Sequence, residues 1–187
     1  MLFIQIIPKM NSKNEDPSEV NERELMEYFN YKGTSGRLKL RLRLVRSLFL
    51  HSLAYSSLYS GFIIKIQRMR GVKIGKHCHF CPYVQIDLVY PELVQIEDNV
   101  TIGSNVMIFA HANPTANLFL KRGPYPRKVE SILIKNGAVL NPGCIITAGV
   151  TIGENSIVSV GSVVSENVPD YCVVVGNPAR VVKKIEH

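Results

Sequence analysis

Residues 134–168 read IKNGAVLNPGCIITAGVTIGENSIVSVGSVVSENV, and aliphatic side chains recur through them six positions apart without a slip: Ile134, Leu140, Ile146, Ile152, Val158 and Val164. Four positions after each stands a small or β-branched residue: Ala138, Cys144, Val150, Ser156, Ser162 and Val168. A period of six is neither the 3.6 of a helix nor the two of an amphipathic strand. It describes a short strand and a turn, repeated, with one large side chain per unit pointing into a narrow core. Glycine or asparagine at Gly103, Asn105, Gly137, Gly143, Gly149, Gly153 and Asn155 offers the positive φ that such corners need. Three units close a triangular coil, and coils stack as a solenoid.

Working outward, the same template fits Ile96, Ile102 and Ile108, followed by Val100, Val106 and Ala112. It fits again at Ile74, Phe80 and Ile86, with Cys78 and Val84. The spacing therefore predicts an all-β solenoid, a parallel β-helix of hexapeptide repeats, over 71–172. A short excursion around Tyr90-Pro91 interrupts it at 87–95, and a longer loop at 113–131. Residues 173–187 form a basic tail.

The first 70 residues show no repeat and read as mainly helical. A helix is expected around Glu22 to Phe29, then a Gly-Thr-Ser-Gly break at 33–36. Lys39, Arg41 and Arg43 alternate with leucines in a strand-like period of two, and from Leu44 the apolar spacing suits one or two helices. This basic flank suits contact with a membrane surface, or else forms a solvated face covering one end of the main domain. Residues 47–64 lack formal charge but carry five Ser, two Tyr and a His, which suits a membrane span poorly. The opening MLFIQIIPKM lacks a basic n-region and reads as a poor signal peptide, with Met1 or Met10 as the start.

The chain has 187 residues, 22 basic against 15 acidic, for a net charge of +7. That balance admits nucleic acid, an anionic membrane or a phosphate-rich cosubstrate, and does not choose among them. No nucleic-acid motif accompanies it. Four unevenly spaced cysteines in a chain of this size read as reduced thiols of a cytoplasmic protein, at the inner membrane surface if the basic flank docks there.

IEDNVTIGSNVMI (96–108) and the stretch from Val139 ending GNPARVVKKI (176–185) resemble the hexapeptide-repeat acyltransferases, including maltose, galactoside and polysaccharide O-acetyltransferases. The resemblance covers about 74–185. It implies a left-handed β-helix, a homotrimer with active sites between subunits, acetyl-CoA as co-substrate, no metal, and transfer of acetyl to a hydroxyl of a sugar or glycan.

Such a transfer needs a base within reach of the acceptor O–H. A neutral imidazole is available near pH 7, and His111 in IFAHANP stands where family members carry the catalytic histidine, before the extended loop. Galactoside-type enzymes have that histidine directly before the proline, where this chain has Asn113. Asn113 is then a candidate for orienting the acceptor or the imidazole. The family pattern transfers acetyl-CoA contacts to Pro142, Ala148, Val160 and Ser165, with Arg180 and Lys183 meeting the nucleotide phosphates and Glu166 replacing a frequent Lys. For the acceptor it offers Asp87, with Cys81 near the place of a family Asn. The loop adds Asn117, Lys121, Arg122, Tyr125 and Arg127, a basic and aromatic set suiting an anionic, polymeric or lipid-linked glycan.

Other readings keep the fold. An amino-sugar N-acetyltransferase would use the same site, and a non-catalytic scaffold would keep the repeat. A γ-type carbonic anhydrase needs paired histidines, and His51, His77, His79, His111 and His187 offer no H-x₄-H. His77, Cys78, His79 and Cys81 resemble a metal cluster in composition, but Cys78 occupies an inward slot of the repeat. Cys144 and Cys172 also fit interior positions and have no sequence-adjacent base to activate them.

Overall fold

A computed structural model describes residues 15–186; the opening MLFIQIIPKM, the choice between Met1 and Met10, and His187 lie outside them. The chain divides into two units, one running through Leu40 and including Asn113–Pro126, the other comprising Arg41–Ala112 and the residues from Arg127 onward.

In the second unit the six-residue period becomes three parallel sheets visited in turn. One contains Lys73–Ile74, Val94–Ile96, Ile132–Ile134 and Thr151–Ile152; another begins His79–Phe80, Thr101–Ile102, Val139–Leu140, Ile157–Val158; the third holds Gln85–Ile86, Met107–Ile108, Ile145–Ile146 and Val163–Val164. Ile134 pairs with Ile152, Leu140 with Val158 and Ile146 with Val164, so one uninterrupted coil advances 18 residues. The repeat's large apolar positions from Phe80 to Val164 are all buried, and Ala138, Cys144, Val150, Ser156, Ser162 and Val168 fill the slots between them. Burying one aliphatic side chain per unit contributes about 1.5–3 kcal/mol each relative to exposure.

The template departs from the structure in three places. Ile74 and Cys78 are only half-buried. Ala112 is exposed, because His111–Ala112 leaves the coil to pair antiparallel with Lys128–Val129 at the base of the long loop, while Ala110 takes the buried place. The corner glycines also divide into two kinds. Gly137, Gly143 and Gly149 have positive φ, as do Asn105 and Asn155. Gly103 and Gly153 do not; a Cβ there would lie 2.7 Å from Pro142 N and 2.4 Å from Asp170 N respectively. Close approach of the next coil, not backbone handedness, requires those two glycines.

The C-terminal residues are not a loose tail. Cys172–Gly176 adds to the second sheet beside Ile157–Val158, and Ala179–Lys184 folds back on it antiparallel.

Helix α1 spans Pro17–Tyr28, started by Asp16, whose carboxylate accepts from Ser18 N at 2.8 Å, with Pro17 in the first turn. Helix α2 spans Gly33–Tyr55. It overturns two expectations: the Gly-Thr-Ser-Gly stretch is its first turn, and the basic–leucine alternation lies in its interior. Leu, Lys and Arg are strong helix formers, and the helical register puts Ser47, Leu50, His51 and Ala54 on one buried side. Helix α3, Ser60–Arg70, ends at Gly71 with φ 111°.

The first unit joins α1 to the long loop, which holds a short helix α4, Leu118–Arg122. Asn21 Nδ2 donates to Thr115 O at 2.8 Å, and Lys121, whose side chain is buried, pairs with Glu24 at 2.7 Å and donates to Asn21 Oδ1. Arg122 pairs with Glu15 at 2.6 Å and Arg37 with Glu22 at 3.2 Å.

Candidate active site

His111 stands where the chain leaves the corner after Met107–Ile108, and Asp87 stands at the same corner one coil earlier: Asp87 N donates to Ile108 O at 2.9 Å. This stacking carries Asp87 to His111, 24 residues away, with Oδ2 at 2.6 Å from Nδ1. The Asp87 side chain has no exposed surface. Its Oδ1 accepts from Val89 N and Tyr90 N, and its Oδ2 also from Ala110 N, each at 2.9 Å. A carboxylate engaged in this way only accepts, so Nδ1 of His111 carries the proton and the lone pair of the neutral ring lies on Nε2. Nε2 has no hydrogen-bond partner among the described residues, and the side chain is 27% exposed. The buried Tyr90 ring meets the imidazole edge-on, centroids 5.2 Å apart, and Arg127 donates to its hydroxyl.

Beneath Asp87 lies a cation that sequence reasoning missed. Arg70, at the end of α3, is buried and donates to Asp87 O at 2.6 Å, Ile86 O at 3.2 Å and Gln67 Oε1 at 2.7 Å. Ser47 of α2 donates to Leu88 O at 2.7 Å. The backbone carrying Asp87 is thus held by two helices on one side while its carboxylate holds the histidine on the other. Burial pulls the Arg70 guanidinium down to about 10, opposed by the Asp87 charge, so it stays cationic at neutral pH. His51 Nδ1 lies 3.3 Å from Arg70 and, facing a group that only donates, accepts. Burial first, then the Arg70 charge, hold His51 down at about 4. Nothing in the local sequence marks Arg70, since its partners other than Gln67 lie 16 to 23 residues away.

The residues proposed for acetyl-CoA fall on different parts of the coil. Phe109 N donates to Ile146 O and Thr147 N to Val164 O, so Ala148 and Ser165 lie one and two coils beyond His111 at its own corner. Pro142 and Val160 share the corner at the other end of the third sheet, linked by Gly161 N donating to Pro142 O. Arg180 reaches Glu166 at 3.3 Å, and Lys183 sits in the final strand opposite Val173. The residue that replaces a family Lys therefore meets the arginine expected on the phosphates.

In the first unit, Asn117 caps α4, its Oδ1 accepting from Leu120 N at 3.0 Å. Asn113 Nδ2 donates to Asn21 Oδ1 at 3.3 Å, while its Oδ1 is buried without a partner among the described residues. Tyr125 is exposed. Cys78 Sγ donates to Glu97 O at 3.1 Å, and burial pushes that thiol up; Cys144 is pushed up to about 12 by burial. Among the described residues no group of three or more His, Cys, Asp or Glu is gathered for a metal.

No family model matches the chain. It is 32% identical over 117 residues to galactoside O-acetyltransferase of Escherichia coli, covering 61% of this chain and 54% of that protein. It is 37% identical over 123 residues to protein CapG of Staphylococcus aureus, covering 65% of this chain and 70% of CapG. Among solved structures, a hexapeptide-repeat acetyltransferase of Vibrio cholerae complexed with acetyl coenzyme A superposes with TM-score 0.64 at 22% identity, over 83% of this chain and 92% of that one; this likeness concerns the fold. The chain spans 54% to 59% of the length of the three curated relatives it matches first. With its three-sheet coil of six-residue units and its similarity over most of CapG, the chain belongs to the hexapeptide-repeat acyltransferases, whose fold is the left-handed β-helix.

Proposed function

We propose that the protein transfers an acetyl group from acetyl-CoA to a hydroxyl of a sugar or glycan, with His111 Nε2 as general base. The observation that carries this reading is the Asp87–His111 pair at 2.6 Å, which fixes the tautomer and turns the unprotonated nitrogen away from its buried partner. The acetyl donor is read from the acetyl coenzyme A of the V. cholerae structure, and the hydroxyl acceptor from the O-acetyltransferase relative.

In this reading the acceptor oxygen attacks the thioester carbonyl carbon as its proton passes to Nε2. The buried carboxylate of Asp87 stabilises the imidazolium that forms. Collapse of the tetrahedral adduct breaks the C–S bond, and the imidazolium returns the proton to the departing thiolate. Asp87, with no exposed surface, is a positioning group here and not an acceptor contact. Ala148 and Ser165, at the corner of His111, are read as lining the acetyl-CoA arm, Pro142 and Val160 as its far border, and Arg180 and Lys183 as phosphate contacts. Asn113 and Asn117 remain the acceptor-side candidates on the strength of the family resemblance and the loop's composition alone.

A homotrimer is read from the family resemblance alone. A cytoplasmic location is read from the cysteines, all four of which are free. No described helix is long and apolar enough to cross a membrane. Release of coenzyme A thiol from acetyl-CoA, measured with hydroxyl and amino sugars offered separately, tests the reading. Release with hydroxyl acceptors, lost in His111→Ala, supports it; release only with amines redirects it to N-transfer, and none with either leaves a scaffold.

A further inference from the structure

Helix α2 has two apolar faces, and its position accounts for only one. Ser47, Leu50, His51 and Ala54 are buried. About half a turn around, at 100° per residue, run Leu42, Val45, Phe49 and Leu53, of which Val45 and Phe49 are 64% and 62% exposed. Arg41 and Arg46, both exposed, border this stripe on its two sides. The turn into α3 adds Leu58 and Tyr59, 78% and 74% exposed, and α3 adds Phe62 and Met69. From Gly33 to Arg70 the chain has eight basic residues and no acidic one.

We infer that this face of α2, with the turn that follows it, docks flat on an anionic lipid surface. The chemistry discriminates among occupants. A nucleic acid would match the charge but offers nothing to bury a Leu-Val-Phe-Leu stripe. A second copy of the same face would bring basic borders together along helices that carry no carboxylate of their own. A bilayer with anionic headgroups answers both features: apolar side chains enter the acyl boundary, and long basic side chains at the flanks reach the phosphates. Arg46 is suited to this, since among the described residues its guanidinium donates to the Met69 carbonyl, a neutral partner, at 3.0 Å. Leu58 and Tyr59 supply the amphipathic anchor at one end. The helix lies on such a surface and does not cross it, as its basic content and the absence of a spanning described helix require.

The full-length protein, mixed with vesicles of phosphatidylcholine alone or with phosphatidylglycerol added, provides the test by co-sedimentation. Binding is expected to the anionic vesicles and not to the neutral ones. It should weaken as ionic strength rises from about 0.1 M to about 1 M, where the Debye length falls from about 10 Å to about 3 Å. The exposed pair Val45→Asp/Phe49→Asp should lower partitioning about tenfold or more, and Arg41→Glu/Arg46→Glu should abolish the preference for anionic lipid. Far-UV circular dichroism and acetyl transfer to a soluble acceptor, both unchanged, show that the variants fold. Failure of the parent protein to sediment with anionic vesicles overturns the inference. So does undiminished binding by Val45→Asp/Phe49→Asp, or a smaller oligomer for that variant in light scattering, which would assign the stripe to a second copy.

Discussion

Asp87 Oδ2 and His111 Nδ1 lie 2.6 Å apart, and the same carboxylate accepts three backbone amide protons. The pair sets which imidazole nitrogen is basic. His111→Ala should therefore lower kcat about 10²–10⁴-fold, the usual contribution of a general base. Asp87→Asn should cost a comparable factor with His111 still present, because an amide can donate to Nδ1 and drive the proton to Nε2. Steady-state kinetics on folded variants check both, and full activity of Asp87→Asn would remove the tautomer argument.

Arg70 hydrogen-bonds to the site through the backbone of Ile86 and Asp87. Arg70→Met leaves those carbonyls and Gln67 Oε1 without their donor in a buried place, and should destabilise the fold by about 2–5 kcal/mol. Urea unfolding measures the loss. Arg70→Lys, which keeps the charge but not the fork, should recover only part of it.

His51 makes stability depend on pH. Its ordinary value of about 6.5 falls to about 4 in the folded protein, chiefly through burial and then through Arg70. Between those values the unfolded chain takes up a proton that the folded chain refuses. The contribution is therefore complete above pH 6.5 and is lost as the pH falls toward 4, by at most about 1.4 kcal/mol per pH unit. His51→Gln, which retains an acceptor for Arg70, should flatten that slope in unfolding curves collected from pH 7 to pH 4.5.

Two glycines separate close approach from backbone handedness. Gly161 has φ 67° with open space around its Cβ direction, whereas a Cβ on Gly153 would meet the backbone of Pro169 and Asp170 at 2.4 Å. Gly161→Asn should change stability by less than about 0.5 kcal/mol, since Asn tolerates the left-handed region. Gly153→Asn should cost about 1–3 kcal/mol by overpacking. Thermal unfolding of the two variants side by side checks the distinction.

The sequence by itself determined the coil, because the period of six is local: the large apolar residue at each repeat position from Phe80 to Val164 needs only its own unit to face inward. It also placed His111 at the departure from the coil, through resemblance to relatives. It could not settle the structure of 33–46, where an alternation compatible with a strand is part of a helix, since packing outweighs short patterns. Nor could it tell which apolar face of α2 is covered. The contacts of Asp87, Tyr90 and Arg70 are decided by tertiary structure alone. Stacking successive coils brings a carboxylate to a histidine 24 residues away, and two helices bring Ser47 and Arg70 under that same corner. Hydrogen bonds of this kind join positions with no fixed spacing in the chain, so no period in the sequence can announce them.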